Sequence, residues 1–404
     1  MTTTCCIAGG GPAGVMLGFL LARAGIDVIV LEKHADFFRD FRGDTIHPST
    51  FQLMYELGLL DEFLKVPHQE LQQLHVLFNN INIHLADFTS LKVVKPAVGF
   101  MPQWDFLDFL VKQATVYPAF RLLKETEVTD LLWENGKVAG IRANAPDGIL
   151  EIHALLTVGT DGRTSIVREK AGLKVMPIGA PIDVLWFGLS KKEGDPPQTL
   201  LGRFQQGKIM VSIERDTYWQ IGYIIDKGMY EKKKAYGIEA FRKELTDIAP
   251  FLSNRVNELK NWDDIRLLNV TIDRLEKWCM EGLLCIGDAA HAMSPVGGVG
   301  INLAIQDAVA TANILYQPLK QKKVTINDLG KVQKRRQLPT NMTQRMQVFI
   351  QKGIVSHRKE EGKNKLPFFF WLISKLPVLR RFPAWFVGIG FRPEHISTPD
   401  VLSK

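Results

Sequence analysis

The sequence predicts an α/β protein: a parallel sheet with crossover helices, interleaved along the chain with a smaller β-rich domain and followed by C-terminal helices. Residues 4–31 have the pattern of a strand, a glycine turn, a helix and a second strand, which is a βαβ unit. Residues 179–265 alternate between polar and apolar side chains, as antiparallel strands do. The C-terminal part of the chain has mostly helical spacing.

The order of the remaining elements indicates where the domains divide. Helices are predicted at 49–64 and 104–114, and residues 74–85 alternate as one half-buried strand. Further strands are predicted at 120–123, 127–134, 137–143, 150–158, 183–189, 199–205, 209–214, 218–225 and 283–286, and a long helix at 302–315. The first domain is therefore expected to be discontinuous, with residues 1–73, 98–178 and 266–330. The β-rich domain would comprise 74–97 and 179–265, and a C-terminal helical segment would comprise 331–404.

Length and composition exclude several classes of protein. A chain of 404 residues that is 46% hydrophobic and 23% charged is typical of a globular protein with two cores, not of a disordered chain. The four cysteines, Cys5, Cys6, Cys279 and Cys285, have the spacing of neither a disulfide framework nor a metal site. No signal-like segment precedes the first strand. We therefore expect a cytoplasmic protein with free thiols and no metal.

The positive charge is concentrated near the C-terminus. The net charge is +7, and the residues from 319 onward hold 18 Lys and Arg against 5 Asp and Glu. The apolar run at 366–373 is too short to span a membrane. This segment is predicted to be either a helical layer with a solvated basic face or a peripheral contact with an anionic membrane. No recognition motif indicates nucleic-acid binding. The sequence does not indicate an oligomeric state.

The first glycine motif predicts binding of a dinucleotide. Gly9, Gly11 and Gly14 fit the pattern G-x-G-x-x-G, with Pro12 and Ala13 between them, directly after a strand and at the start of a helix. Such a turn lets a pyrophosphate approach the backbone at a helix N-terminus, so the unit is Rossmann-like. About 20 residues further along the chain, Glu32 can accept hydrogen bonds from the hydroxyls of an adenosine ribose, with Lys33 beside it.

A second motif indicates FAD rather than NAD as the bound dinucleotide. An apolar strand ends at 287–291 in Gly-Asp-Ala-Ala-His, and a Pro-Gly loop then leads into a helix. Asp288 can accept hydrogen bonds from the ribityl hydroxyls of a flavin. The backbone of the loop and of the helix N-terminus can contact the N1/O2 edge of the flavin, where negative charge accumulates on reduction. The loop positions are Pro295, Gly298, Gly300, Ile301 and Asn302. We interpret His291 as structural rather than catalytic.

Together with a third segment, these motifs resemble a known family. The segment 159–165, Gly-Thr-Asp-Gly-Arg-Thr-Ser, continues to Arg168. In this order the three motifs are similar to those of the class A flavoprotein monooxygenases, of which p-hydroxybenzoate hydroxylase is a member. The resemblance covers most of the chain and implies a Rossmann-like FAD-binding domain of the GR2/PHBH type, interleaved with a β-sheet substrate domain.

The resemblance also assigns roles to individual residues. Asp161 and Arg168 would support FAD and the nicotinamide donor, with capping of a strand-to-helix turn as the alternative for Asp161. Arg42 is similar to an arginine that reaches the FAD pyrophosphate, with a solvated loop arginine as the alternative. Gln103 would offer its amide to the flavin or cap a helix, and Val128 would lie beside the adenine. His47 lies close to Arg42 in sequence, but its match to the family is not specific.

The reaction that the resemblance implies centres on the flavin. NADPH or NADH would reduce FAD, O2 would add at flavin C4a, and the distal oxygen of the hydroperoxide would pass to a small aromatic or hydrophobic substrate. The chain has one dinucleotide fingerprint, so donor and substrate would reach the same flavin. Aromatic and apolar side chains of the β-rich domain could line the pocket or form plain core; they are Trp186, Phe187, Phe204, Met210, Trp219 and Tyr223.

Three other functions are considered. A flavin-dependent halogenase would share the FAD motifs, but the Trp-x-Trp-x-Ile-Pro segment of that family is absent. An FAD-dependent reductase of isoprenoid-type double bonds would share the fold. A non-catalytic, membrane-associated flavoprotein would account for the basic C-terminus. Oxygen uptake that is coupled to an oxygenated product distinguishes a hydroxylase from the last two.

Overall fold

The strands in the described part of the chain lie in two large sheets and two small ones. The computed structural model describes residues 1–38, 44–197, 200–205, 207–359 and 368–403. In chain order the strands are β1 Thr2–Ala8, β2 Val28–Leu31, β3 Thr45–Ile46, β4 Gln69–Leu71, β5 Gln73–Phe78, β6 Ile81–Asp87, β7 Val98–Phe100, β8 Phe120–Leu123, β9 Glu127–Glu134, β10 Lys137–Ala145, β11 Gly148–Gly159, β12 Val175–Pro177, β13 Ile182–Ser190, β14 Leu200–Gln205, β15 Lys208–Glu214, β16 Tyr218–Asp226, β17 Arg266–Leu268, β18 Asp273–Leu275, β19 Cys279–Met280 and β20 Leu283–Cys285.

Helices cover the sheets and form the C-terminal part of the chain. They are α1 Pro12–Arg23, α2 Pro48–Glu56, α3 Leu60–Phe63, α4 Gln103–Ala114, α5 Ile166–Lys170, α6 Tyr230–Ala235, α7 Ile238–Ile248, α8 Gly300–Lys320, α9 Ile326–Lys359, α10 Phe368–Lys375 and α11 Arg381–Gly388. Among the helices described, none combines the length and the apolar composition needed to cross a lipid bilayer.

The first sheet is the parallel sheet that the N-terminal βαβ unit predicts. Its strand order is β19-β20-β11-β1-β2-β8, and β10 and β9 form an antiparallel extension from β11. Strand β1 lies between β11 and β2 and pairs with both in parallel. Every residue of β1 from Cys5 to Ala8 is fully buried, because helices cover both faces of such a sheet. The continuous apolar run of this strand follows from that burial.

Within the described residues, the second sheet has two strands more than the sequence predicts. Its order is β17-β13-β16-β15-β14-β5-β6, and β17 extends it three residues beyond the predicted boundary at 265. Residues 74–85 were expected to form a single strand, but they belong to the hairpin β5–β6. Asn79 and Asn80 turn the chain with φ of +44° and +69°, the left-handed conformation that asparagine tolerates in two-residue hairpin turns. Polar and apolar residues continue to alternate through this turn, so the sequence pattern does not reveal the turn.

The C-terminal helices contact both halves of the molecule. Helix α9 lies beside α8 and the segment that follows β20, whereas α10 and α11 pack on the outer hairpin strand β6. His84 of β6 accepts a hydrogen bond from Arg380 between these two helices, with 3.2 Å between Nδ1 and Nη1. The helical character predicted for the C-terminal segment is therefore present in its described residues.

Candidate active site

The predicted motifs come together at one edge of the parallel sheet. Strands β20, β11, β1 and β2 are neighbours, and their carboxyl ends are level because Cys285 pairs with Gly159, Gly159 with Ala8, and Ala8 with Leu31. The Gly-Asp segment, the Asp-Gly segment, the glycine turn and Glu32 follow these four ends directly. The crevice outside the carboxyl ends of parallel strands is where open α/β sheets bind ligands.

The glycine turn has the shape that a pyrophosphate requires. Gly9 has φ of +104°, and a side chain at Gly14 would place its Cβ 2.0 Å from the carbonyl oxygen of Gly9. A Cβ at Gly11, by contrast, would meet nothing within 4 Å. Pro12 and Ala13 open α1, whose first-turn amides have no intrahelical acceptor. The open space at Gly11 therefore lies beside amide donors and fits a phosphate group.

Glu32 supports the glycine turn. Its carboxylate accepts hydrogen bonds from the amides of Gly10 at 3.1 Å and His34 at 3.0 Å. The backbone carbonyl of Glu32 accepts from the amide of Thr126, which brings the start of β9 and hence Val128 to this end of the site. Lys33 is exposed and lies 3.9 Å from the carboxylate of Glu127. Contact of Glu32, Lys33 and Val128 with adenosine remains a prediction.

Asp288 lies between the two glycine motifs. Its carboxylate accepts a hydrogen bond from Arg163 Nε at 3.1 Å, and both side chains are one-third exposed. Gly287 precedes it, and a Cβ there would lie 3.2 Å from that of Ala13 in α1 and 3.4 Å from that of Ala304 in α8. The starts of α1 and α8 therefore converge on Gly287. An acidic side chain at this junction fits the ribityl chain of a dinucleotide that spans both helix starts.

Asp161 caps the turn between β11 and α5. Its carboxylate accepts hydrogen bonds from Ser165 Oγ at 2.5 Å and from the amide of Val167 at 3.1 Å. Burial raises the pKa of Asp161, and these two hydrogen bonds partly offset that rise. Arg168 donates to the carbonyl oxygens of Arg163 and Ala289. These contacts match the capping alternative, and contact of Asp161 or Arg168 with FAD or the donor remains a prediction.

The Pro-Gly loop is held against strand β3. Thr45 Oγ1 donates to the carbonyl oxygen of Gly298 at 2.9 Å, and His47 Nε2 lies 3.0 Å from the same oxygen. Burial lowers the pKa of His47. Gly298 has φ of +64°, and a Cβ there would lie 2.5 Å from Thr45 Oγ1. This close approach explains why the position is glycine.

The loop continues into the first turn of α8. Asn302 accepts hydrogen bonds through Oδ1 from Ser49 Oγ at 3.0 Å and Thr50 Oγ1 at 2.7 Å, so its side chain fastens α8 to α2. Gly300 and Ile301 precede it with first-turn amides that have no intrahelical acceptor. Pro295 lies at the other end of the loop and is half-buried. The backbone of this turn therefore remains the candidate contact for the flavin edge.

A buried ion pair joins the second sheet to this region. Arg215, which follows β15, donates to Asp44 and to Gln220 of β16. Asp44 also accepts from the backbone amide of Gln103 at 3.4 Å, where α4 begins. Burial raises the pKa of Asp44 to about 6, although Arg215 lowers it. Asp44 and Arg215 are 171 residues apart, so no local sequence pattern predicts that they meet. Arg42 lies outside the described residues.

The candidate pocket residues divide between the two faces of the second sheet. Met210, Trp219 and Tyr223 are fully buried against helix α7, together with Phe187. Trp186 and Phe204 face the other side, where their cluster includes Val296 of the Pro-Gly loop. Side chains in a strand alternate between the faces, so one sheet cannot present all six to one pocket. The expectation that Met210, Trp219 and Tyr223 line the pocket is therefore corrected: they form core.

His291 has a structural environment. Its Nε2 lies 2.5 Å from the carboxylate of Asp307, which also accepts from Arg336 Nε at 2.8 Å and from the amide of Gly287 at 3.1 Å. Burial raises the pKa of Asp307, but His291 and Arg336 outweigh that effect and bring it below its usual value. His291 is 1% exposed, and its ring centroid lies 4.9 Å from that of Trp278.

Comparison with known proteins identifies the family. The family described as FAD binding domain matches residues 2–346. The chain belongs to it. This is the family of class A flavoprotein monooxygenases, so the protein is an FAD-dependent monooxygenase. The predicted family, fold class and cofactor are confirmed.

Similar proteins include enzymes that act on aromatic compounds. The 6-methylpretetramide 4-monooxygenase of Streptomyces rimosus is 29% identical to this monooxygenase over 382 residues, which cover 94% of this chain and 90% of that protein. The para-nitrophenol 4-monooxygenase of Pseudomonas sp. (strain WBC-3) is 22% identical over 338 residues, 78% of each chain. The structure of OxyS anhydrotetracycline hydroxylase from Streptomyces rimosus has a TM-score of 0.77 with 22% identity, and the match covers 98% of this chain and 77% of that one.

The residues of this monooxygenase can perform three tasks. When bound, FAD supplies the electron transfer and the activation of O2. The first-turn amides of α1 can bind its pyrophosphate, and those of α8 can stabilise negative charge on the ring. The apolar face that carries Trp186 and Phe204 can exclude water from the reacting atoms. No acid or base on that face is needed for these tasks.

Proposed function

We propose that this monooxygenase hydroxylates a small aromatic or hydrophobic substrate that binds between the Pro-Gly loop and the second sheet. The supporting observation is that Trp186, Phe204 and Val296 of the loop all pack against one apolar cluster on this face of the sheet, which offers an apolar wall next to the candidate flavin position. The aromatic substrates named for its relatives support the same class.

The wall also offers one hydrogen-bond donor. Among the described residues, the indole nitrogen of Trp186 is buried without a hydrogen-bond partner. A buried donor of this kind costs about 1–3 kcal/mol unless a ligand satisfies it. We therefore propose that an oxygen of the substrate accepts this hydrogen bond. Trp186→Phe should raise the KM for such a substrate and leave reduction of the flavin by NAD(P)H without substrate unchanged.

NADPH or NADH is the proposed electron donor, and it reaches the same flavin as the substrate does. The glycine turn after β1 is the one dinucleotide fingerprint in the sequence, and it is assigned to FAD. The donor must therefore bind transiently in the crevice that the substrate also enters. Stopped-flow reduction with each nucleotide in turn would identify the preferred donor.

A substrate screen tests the proposed function. The purified holoenzyme is mixed with NADPH or NADH and a panel of phenols, quinolones and aromatic polyketides, and nucleotide oxidation, O2 uptake and product mass are measured. We expect a subset of compounds to accelerate nucleotide oxidation and to gain one oxygen atom from ¹⁸O2. Reduction of an isoprenoid double bond without O2 uptake would support the alternative reductase. A flavin that no donor reduces, with any compound present, would support the non-catalytic alternative.

We also propose that the protein is cytoplasmic and makes a peripheral contact with anionic membranes. The sequence from 362 to 393 contains six Lys and Arg and no Asp or Glu. Trp371, Leu376, Val378 and Phe382 are 45–68% exposed on α10, α11 and the turn between them, while the opposite side of this segment packs on β6. Exposed aromatic and aliphatic side chains among cations suit an anionic bilayer surface.

Vesicle binding tests this contact. The holoenzyme should sediment with vesicles that contain phosphatidylglycerol, less so at high salt, and not with pure phosphatidylcholine vesicles. The double variant Val378→Ser/Phe382→Ser should lose this binding. Ile149→Ser, which alters an equally exposed apolar residue in the β10–β11 hairpin, should keep it. Equal binding of both variants, or none by the wild type, would refute the proposal.

A further inference from the structure

We propose that three glutamines of helix α9, above all Gln347, are positioning residues that hold the loop proposed to bear the flavin ring. They are Gln344, Gln347 and Gln351, and each is at most 1% exposed. The inference rests on the placement of the flavin edge at the Pro-Gly loop and names what fixes that loop in place.

The segment before the Pro-Gly loop lacks the regular backbone hydrogen bonds of a helix or strand. Residues 290–295 follow a short 3-10 turn and form neither helix nor strand, although most of them are buried. Every buried amide and carbonyl in such a segment requires a partner from elsewhere. On the side of Gly298, Thr45 and His47 supply contacts to the loop. The amide of Leu275 and the carboxylate of Asp273 bond to Ala290 and Ala292, and α9 supplies the contacts to Ser294 and a further one to Ala292.

Gln347 pairs with the loop through both ends of its side-chain amide. Its Oε1 accepts from the amide of Ser294 at 3.1 Å. Its Nε2 donates to the carbonyl oxygen of Ser294 at 2.9 Å and to that of Val296 at 2.9 Å. The side chain of Gln347 thus forms the hydrogen bonds that the backbone of a neighbouring strand would form. It fixes the loop on both sides of Pro295.

The two flanking glutamines, Gln344 and Gln351, add further hydrogen bonds to this segment. Gln344 Nε2 donates to the carbonyl oxygens of Ala292 at 3.1 Å and Asp273 at 2.8 Å. Gln351 Nε2 donates to Ser294 Oγ, which in turn accepts from the amide of Val296 at 3.2 Å. Positions 344, 347 and 351 lie on one face of a helix, so α9 presents a continuous row of amides to the loop.

The consequence concerns the flavin. Amides that stabilise charge on the ring are effective only when they are held in place before the charge develops. Since residues 290–295 form neither helix nor strand, their order depends on side chains from elsewhere, and this row supplies several of them. Loss of Gln347 should therefore weaken FAD binding, change the potential of the flavin and let water reach the reacting atoms.

A matched pair of variants tests the role. Gln347→Met keeps the length and helix propensity of the side chain and removes all three hydrogen bonds. Gln333→Met is the control, because Gln333 lies on the same helix and pairs in the same way with the amide of Trp278 and the carbonyl of Glu276, both at 3.0 Å. For Gln347→Met we expect a rise of about tenfold or more in the Kd for FAD, as is common when supporting partners of a binding site are removed.

Two further readouts separate positioning from general destabilisation. In Gln347→Met the Kd values for oxidised and for reduced FAD should change by different factors. Each tenfold change in the ratio of these two Kd values shifts the flavin midpoint potential by about 30 mV. The share of electrons that ends in H2O2 rather than product should rise. Gln347→Glu would place an acceptor oxygen against the carbonyl oxygens of Ser294 and Val296, so it should weaken FAD binding at least as much as Gln347→Met. Gln333→Met should match the wild type in all three measurements.

The proposal is overturned if Gln347→Met and Gln333→Met bind FAD with equal affinity and have equal potentials. If Gln347→Met does not fold, Gln351→Met is used as the test instead, because it removes only the bond to Ser294 Oγ. Unchanged hydrogen exchange of residues 292–300 in the folded apoprotein of that variant would then overturn it. If the proposed function is wrong, the result is a different one: the wild-type holoenzyme oxygenates no compound.

Discussion

Glu32 and Asp288 are the two carboxylates on which FAD retention is expected to depend. The sequence places both at strand ends, where each can accept hydrogen bonds from sugar or ribityl hydroxyls. In the structure Glu32 accepts from two backbone amides and Asp288 from Arg163. Contacts of this kind cannot be deduced from spacing, because Asp288 and Arg163 are 125 residues apart.

Asp288→Ala should weaken FAD binding. The loss of a hydrogen bond to a charged group is worth about 1–3 kcal/mol, so the Kd for FAD should rise roughly 5- to 150-fold. Titration of the apoprotein with FAD measures it. Asp130→Ala, which removes a half-exposed carboxylate of β9, is the control and should leave the Kd unchanged. Equal affinities of the two variants would remove Asp288 from the site.

Asp44 should make the stability of the apoprotein depend on pH. Burial raises its pKa from 3.8 to about 6, although Arg215 lowers it. A raised pKa means that the folded state holds the proton more tightly than the unfolded state does. The resulting stabilisation is present below pH 3.8 and is lost as the pH rises through 6. A shift of about two units corresponds to about 3 kcal/mol.

The variant Asp44→Asn isolates this effect. Asparagine does not titrate, so the free energy of unfolding of the variant, relative to the wild type, should increase by up to about 3 kcal/mol between pH 4 and pH 7. Urea unfolding of both apoproteins across this range provides the measurement. A difference that stays constant with pH would show that the pKa of Asp44 is not raised.

At the scale of elements, the strand-to-helix turn of β1 and α1 was predictable and the environment of α9 was not. The turn obeys a local pattern, in which Gly9 and Gly14 have steric reasons within the chain and Gly11 leaves room for a phosphate. Helix α9 instead buries a polar stripe, composed of Arg336, Thr340, Gln344, Gln347 and Gln351. Hydrophobic periodicity detects helices that pack on apolar surfaces. It gives no signal for a helix that packs on irregular backbone and must supply hydrogen bonds.

Two alanine substitutions in the glycine turn should have different effects. Gly14→Ala would bring a Cβ within 2.0 Å of the Gly9 carbonyl oxygen, so we expect a poorly folded protein. Gly11→Ala meets nothing within 4 Å and has an extended backbone with φ of −76°, so the apoprotein should fold normally. The new methyl group would occupy the phosphate space and weaken FAD binding. Thermal unfolding and FAD titration of both variants test this, and a Gly11→Ala protein with normal affinity would contradict the placement of the pyrophosphate.

At the scale of the whole molecule, buried charges connect its parts. Arg336 of α9 binds Asp307 of α8 at 2.8 Å and Glu394 near the C-terminus at 3.1 Å. Asp307 and Arg336 are completely buried. The C-terminal segment is therefore fastened to the parallel sheet through α8, and Arg215 fastens the second sheet to Asp44 in the same manner.

Asp307→Asn should destabilise the protein strongly. The substitution removes one of the two carboxylates that compensate the buried Arg336, and breaking a buried pair costs about 3–5 kcal/mol. Glu151→Gln breaks the exposed pair with Arg142 at 2.8 Å and should cost less than about 1 kcal/mol. Urea unfolding of both holoenzymes compares them. Similar losses in the two variants would mean that the buried network contributes little to stability.

The sequence by itself determined the parallel sheet, the FAD motifs and the family, because these follow from short patterns in which neighbouring residues share one steric or electrostatic task. The tertiary structure decided which face of the second sheet each aromatic side chain occupies, that 74–85 is a hairpin, and which distant side chains hold the loop. Those outcomes depend on contacts between residues far apart in the chain. Trp219 and Trp186 look alike in sequence, and only the packing of α7 on one face of the sheet separates core from candidate pocket.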